Sequence, residues 1–81
     1  MARRQARLRA PGDIGLAIQQ ARVARGMTQR ELADDIGVTQ STISAIESGG
    51  STIYLRRILD LARLTGIELT ATWEDDDEIG R

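Results

Sequence analysis

The chain has 81 residues, enough for one small domain, and it contains neither cysteine nor histidine. That excludes a disulfide framework and a thiolate zinc site, removes the commonest general base and metal ligand, and points away from an enzyme, a bound metal or a cofactor. The formal net charge of −1 hides an asymmetry: Glu74, Asp75, Asp76, Asp77 and Glu78 crowd the last eight residues, whereas all eleven basic residues of the chain are arginine.

Residues 1–12 begin with MARRQARLRA and break at Pro11-Gly12. Arg3, Arg4, Arg7 and Arg9 accompany a single large apolar residue, Leu8, so a basic, disordered arm is expected. Two readings stay open for it: a solvated tail, or an arm that follows DNA phosphates or a minor groove. A first helix is predicted from Ile14 to Arg25, capped by Asp13 and stopped by Gly26, with Ile14, Ile18 and Ala21 facing inward. A second helix opens at Thr28, three residues before Glu31, the spacing of a capping box. Leu32, Ala33 and Ile36 are its inward residues, and Gly37 permits a sharp turn. A third helix is capped by Thr39, with Ile43 and Ile46 toward the core and Val38 in the turn. A fourth spans Ile53 to Leu64, its core stripe being Leu55, Ile58, Leu59 and Ala62, and Gly66 ends it. Leu61 lies to one side of that stripe and suits either the core rim or a dimer contact.

From Ile67 the period changes to two. Ile67, Leu69, Ala71 and Trp73 alternate with Glu68, Thr70 and Thr72, which describes an amphipathic strand. No other stretch reads as strand, so its backbone groups require a partner from elsewhere. Antiparallel pairing with the same strand of a second subunit is the simplest solution, and pairing with a different protein is the rival. Residues 74–81 are expected to be an acidic, disordered tail. The expected domain is therefore all-α, with four to five helices over residues 13–66, plus a dimerisation strand at 67–73.

The stretch Thr28 to Gly49, TQRELADDIGVTQSTISAIESG, organises the rest. Two short helices flank a tight turn, and the second begins with small hydrogen-bonding side chains. A polar solvent face is the bland reading of Gln40-Ser41-Thr42. The position just after a Gly turn favours a recognition helix, because such helices meet DNA bases with their N-terminal residues.

The span from about Ile14 to Ile67 resembles the Xre/Cro-type helix-turn-helix family of bacterial and phage repressors. The residues that carry the resemblance are Arg22, Thr28 to Ala33, Gly37, and Ile43 to Glu47. It implies a structural ion pair between Arg22 and Glu47. It also implies DNA contacts: Gln29 to a phosphate, Gln40, Ser41 and Ser44 to base edges, and Thr28, Arg30, Thr39, Thr42 and Ser48 to the backbone or to both. Within the family the chain is most similar to the HipB-type antitoxin group, on the strength of IELTATW after the last helix. That likeness implies a cytoplasmic, nucleoid-associated homodimer that represses its own operon at an inverted-repeat operator and binds a HipA-type kinase toxin, with no membrane involvement. The alternatives are a free-standing phage or restriction-system regulator without a toxin, and a protein-interaction module that uses the strand and the acidic tail.

Overall fold

The computed structural model describes residues 2–75; the expectations for residues 76–81 lie outside them. Within that span the order is β1 (Ala2–Arg7), α1 (Pro11–Ala24), α2 (Gln29–Ile36), α3 (Gln40–Glu47), α4 (Ile53–Thr65) and β2 (Thr70–Asp75). The described residues thus form four helices and a two-stranded antiparallel sheet.

The sheet corrects two expectations. The segment expected to be a disordered arm forms a strand, and it is the partner of the strand thought to lack one within its own chain. The register runs from Ala2 opposite Asp75 to Arg7 opposite Thr70, and the Leu8 amide extends the ladder by donating to the Leu69 carbonyl at 2.9 Å. Complementary charge reinforces the pairing. Arg3 meets Glu74 at 3.2 Å, Arg4 meets Asp75 at 3.1 Å, and Arg7 meets Glu68 at 3.2 Å. Glu74 and Asp75, expected in a loose tail, are therefore strand residues that neutralise the basic segment. Each exposed pair contributes little alone, and a two-stranded ribbon is marginal by itself. This ribbon rests on α1, with Ala6, Ala71 and Trp73 on the half-buried face. Strand β2 starts three residues later than expected because Ile67 belongs to the helix end: its amide donates to the Ala62 carbonyl at 2.8 Å while Gly66 adopts φ +80.

The helix boundaries follow their caps. Thr28, Thr39 and Thr52 each accept an amide hydrogen from three residues on. Helix α1 starts earlier than predicted, at Pro11, with Ala10 as its cap. Asp13 is not the cap residue; it sits one turn inside, where its carboxylate accepts the amides of Arg9 at 2.8 Å and Ala10 at 3.0 Å. These two backbone donors hold its pKa below the usual value.

The interior is small. Ala17, Ala33, Ile43, Leu59 and Ala62 are the buried apolar residues. The narrowest dimension of the molecule is 16 Å, which leaves room for scarcely two layers of helix. Three residues expected in the core are instead exposed: Ile36 at 59%, Ile58 at 43% and Ile46 at 37%. Helical spacing marks an apolar face without stating whether anything in the same chain covers it. Close packing is concentrated where α1 crosses α3. A Cβ on Gly15 would lie 2.8 Å from the Glu47 carbonyl oxygen and closer still to that of Ile46, so the backbones meet only because position 15 lacks a side chain.

Candidate nucleic-acid interface

The helix–turn–helix is built from α2, a turn at Gly37 and α3. Gly37 has φ +77, the left-handed geometry that lets the chain reverse without a side-chain clash. Its amide donates to the Ala33 carbonyl at 2.9 Å, and the Val38 amide donates to the same oxygen at 3.0 Å. Val38, two residues before the first turn of α3, remains partly exposed.

Behind this unit lies a buried ion pair. Arg22 on α1 donates to Glu47 at the end of α3 through Nε at 2.7 Å and Nη2 at 3.0 Å. Its third donor, Nη1, reaches the Met27 carbonyl at 2.8 Å. The Glu47 side chain is only 2% exposed. The bidentate guanidinium lowers the Glu47 pKa, against an opposing push from burial, and Gln29 adds a further hydrogen bond that lowers it. This pair ties the end of α3 to α1 and to the turn before α2, and so fixes the angle at which α3 is presented.

The network then runs outward. Gln29 Nε2 donates to Glu47 Oε1 at 3.0 Å, which turns Gln29 Oε1 toward the surface. Gln40 Nε2 approaches that oxygen at 3.4 Å. A chain of four side chains, Arg22, Glu47, Gln29 and Gln40, therefore connects the core to the exposed start of α3. Gln40 keeps its carbonyl oxygen and a second N–H for an outside partner, the pair of groups that reads an adenine edge.

Gln29, Gln40, Ser41, Ser44, Ala45 and Ser48 line one shallow, open concavity. Five of these are among the residues expected to meet DNA; Ala45 is an addition. Its place was visible in the spacing, one turn beyond Ser41 on the same face, but it has no polar group to draw attention. The remaining expected contacts lie outside the concavity. Thr28 and Thr39 are engaged as caps, accepting from the Glu31 and Thr42 amides at 3.0 and 3.2 Å. Thr39 Oγ1 also lies 2.9 Å from the Thr42 hydroxyl and 3.1 Å from that of Ser41. Arg30 is exposed on α2. The expected dimerisation residues are dispersed: Ala71 and Trp73 lie on the ribbon face toward α1, Leu69 joins Leu8, Leu59 and Ala62 around a pocket beside α4, and Ile67 is exposed at the helix end.

Among the described residues no cluster of acidic side chains is arranged to hold a metal ion, and no helix is long and apolar enough to cross a membrane. No curated protein and no solved structure matches the chain. The helix-turn-helix family model matches residues 18–71, from within α1 to the second residue of β2. That is well over half of the sequence, and it spans the whole of the α2–turn–α3 unit and its supports. The chain belongs to the Xre-like helix-turn-helix family of DNA-binding transcription regulators.

Proposed function

We propose that the protein is a dimeric, sequence-specific transcriptional repressor that reads an inverted-repeat operator with α3 and regulates its own gene. The family is a DNA-binding, non-catalytic one, and the observation that carries the finer reading is the oriented pair Gln29 and Gln40 at the mouth of the concavity. Gln40, Ser41 and Ser44 are the base-reading residues. Gln29 and the N-terminal amides of α2 hold a phosphate, where the helix dipole favours an anion. Thr28, Arg30, Thr39, Thr42 and Ser48 flank this surface. Ala45 offers a methyl group to the C5-methyl of a thymine. Two copies set their α3 helices in successive major grooves, about 34 Å apart.

Footprinting of the DNA upstream of the protein's own gene, followed by titration at several salt concentrations, tests this. A protected inverted repeat and an affinity that falls steeply with salt are expected. Gln40→Ala is expected to lose about 1–3 kcal/mol at one base position and to relax preference there. Unchanged affinity and base preference in that variant would sink the assignment of α3 as the reading helix.

The second reading is that this repressor is the antitoxin of a HipA-type kinase toxin. Its support is the IELTATW tail after the last helix. In this chain that tail finds a strand partner in β1, so a toxin must dock elsewhere or on the free edge of β2. Co-purification of the adjacent gene product with this chain decides between an antitoxin and a free-standing regulator.

A further inference from the structure

Beside the C-terminal half of α4 lies a cavity of about 290 Å³, at the lower edge of the range of about 300–1,000 Å³ usual for ligand pockets. Its floor is apolar. Leu59 and Ala62 are buried, and the half-buried Leu8 and Leu69 close it from the ribbon side. Two backbone hydrogen bonds hold these walls together. The Leu8 amide donates to the Leu69 carbonyl, and the Ile67 amide donates to the Ala62 carbonyl, which folds residues 67–69 back over the helix end. The exposed part of the lining is cationic, with Arg7, Arg9 and Arg63 set against a single carboxylate, Glu68. The C-terminal end of α4 adds about half a negative charge, so the three guanidiniums still leave the opening positive. An apolar floor under a cationic opening is complementary to an apolar body that carries an anionic head.

We propose that this cavity binds a small amphiphilic anion, a short alkyl chain ending in a carboxylate, with the chain on the leucine floor and the head on Arg9 and Arg63. The three arginines are not equally committed. Arg7 is engaged by Glu68 at 3.2 Å. Arg63 meets Asp60 at 3.5 Å with both side chains largely exposed, a contact that a closer anion displaces at little cost. Arg9 feels the charge of Asp13, but the Asp13 carboxylate accepts the Arg9 and Ala10 amides instead, and the Arg9 guanidinium makes no hydrogen bond among the described residues. A guanidinium with its fork open matches the two oxygens of a carboxylate. The small volume admits a single short chain. Because the walls come from residues 7–9 and 59–69, and α4 packs only sparsely on its neighbours, an occupant ties the end of the ribbon to α4 and stabilises the folded chain in proportion to its saturation. The cavity shares no residue with the concavity at the start of α3, and the proposal does not rest on the repressor reading.

Amide NMR spectra of the full chain, titrated with sodium octanoate in the absence of DNA, test it. Saturable shifts with a Kd of about 1 mM or tighter are expected, centred on the amides of Leu8, Arg9, Gly66 and Leu69 and sparing Gln40, Ser41 and Ser44. Acetate, which lacks the chain, and 1-octanol, which lacks the charge, are each expected to bind at least about tenfold more weakly. The double variant Arg9→Gln with Arg63→Gln is expected to lose about tenfold in octanoate affinity while its weak response to 1-octanol stays as in the wild type. That second readout separates a lost head-group contact from a damaged cavity, and both positions are exposed in the folded chain. No saturable shift by about 10 mM octanoate, equal binding of 1-octanol, or an unchanged octanoate affinity in the double variant overturns the proposal. So does the same shift pattern on concentrating the chain alone, which would give the cavity to a neighbouring copy.

Discussion

Arg22 and Glu47 illustrate how one ion pair can organise a surface it does not belong to. The Glu47 side chain is only 2% exposed, and its charge is stabilised by the guanidinium and the Gln29 amide that face it. Removing one member leaves the other buried and uncompensated. Arg22→Leu is expected to destabilise the fold by about 3–5 kcal/mol in urea denaturation, and Arg22→Leu with Glu47→Leu to recover a large part of that loss. The same pair makes stability depend on pH. The folded pKa values of Glu47 and Asp13 both lie below those of the unfolded chain. The stabilisation is therefore complete above about pH 4.5 and is lost as pH falls through the folded values, because the unfolded chain takes up protons first. Thermal melts across pH 6 to 2 are expected to show a falling midpoint below pH 4.5, with a smaller fall in the Glu47→Gln variant measured from its own, lower starting point. The pairing of Arg22 with Glu47 was legible in the sequence through family resemblance alone; nothing in their spacing of 25 positions announces it. The link from Glu47 through Gln29 to Gln40 was not legible, because it depends on the crossing angle of three helices.

At the scale of elements, the threonine caps at 28 and 39 and the glycines at 37 and 66 wrote the helix limits into the sequence, since each meets a local backbone requirement. Strand β1 was hidden. Its inward positions are Ala2, Arg4, Ala6 and Leu8, too small or too polar to display a period of two, and its one clue was a basic charge opposite in sign to the other end of the chain. The outward turn of Ile58 was hidden for the converse reason: its spacing fits a buried stripe and an exposed apolar stripe equally. Two variants probe these elements. Gly15→Ala forces a methyl group against the carbonyls of Ile46 and Glu47, and is expected to cost about 1–3 kcal/mol or more, read by chemical denaturation, because helical backbone has little freedom to retreat. Deletion of residues 1–8 removes the partner of β2 while leaving every helix intact. Trp73 is the one tryptophan of the chain, and its buried Nε1 has no hydrogen-bond partner among the described residues. Its emission is expected to shift to the red in the deletion variant as water reaches the indole, while the helical signal persists. An unshifted spectrum would show that β1 does not hold β2 in place.

For the whole molecule, few side chains are deeply buried and many apolar ones face outward. The family match covers the helix-turn-helix and the helices that support it. The ribbon has a different consequence, and it is mechanical. Ala2 sits beside Asp75, so the two ends of the described chain leave the molecule side by side. A load applied between them pulls the ladder apart like a zip, one hydrogen bond at a time, rather than shearing all of it together. An optical-trap measurement with handles on the two ends is expected to show an early, low-force extension in which β1 and β2 separate, followed by a distinct cooperative event for the helices. An unfoldase that grips either end would meet this weak seam first and the helices second, so resistance to processive degradation is set by the helical body and not by the strands that close it.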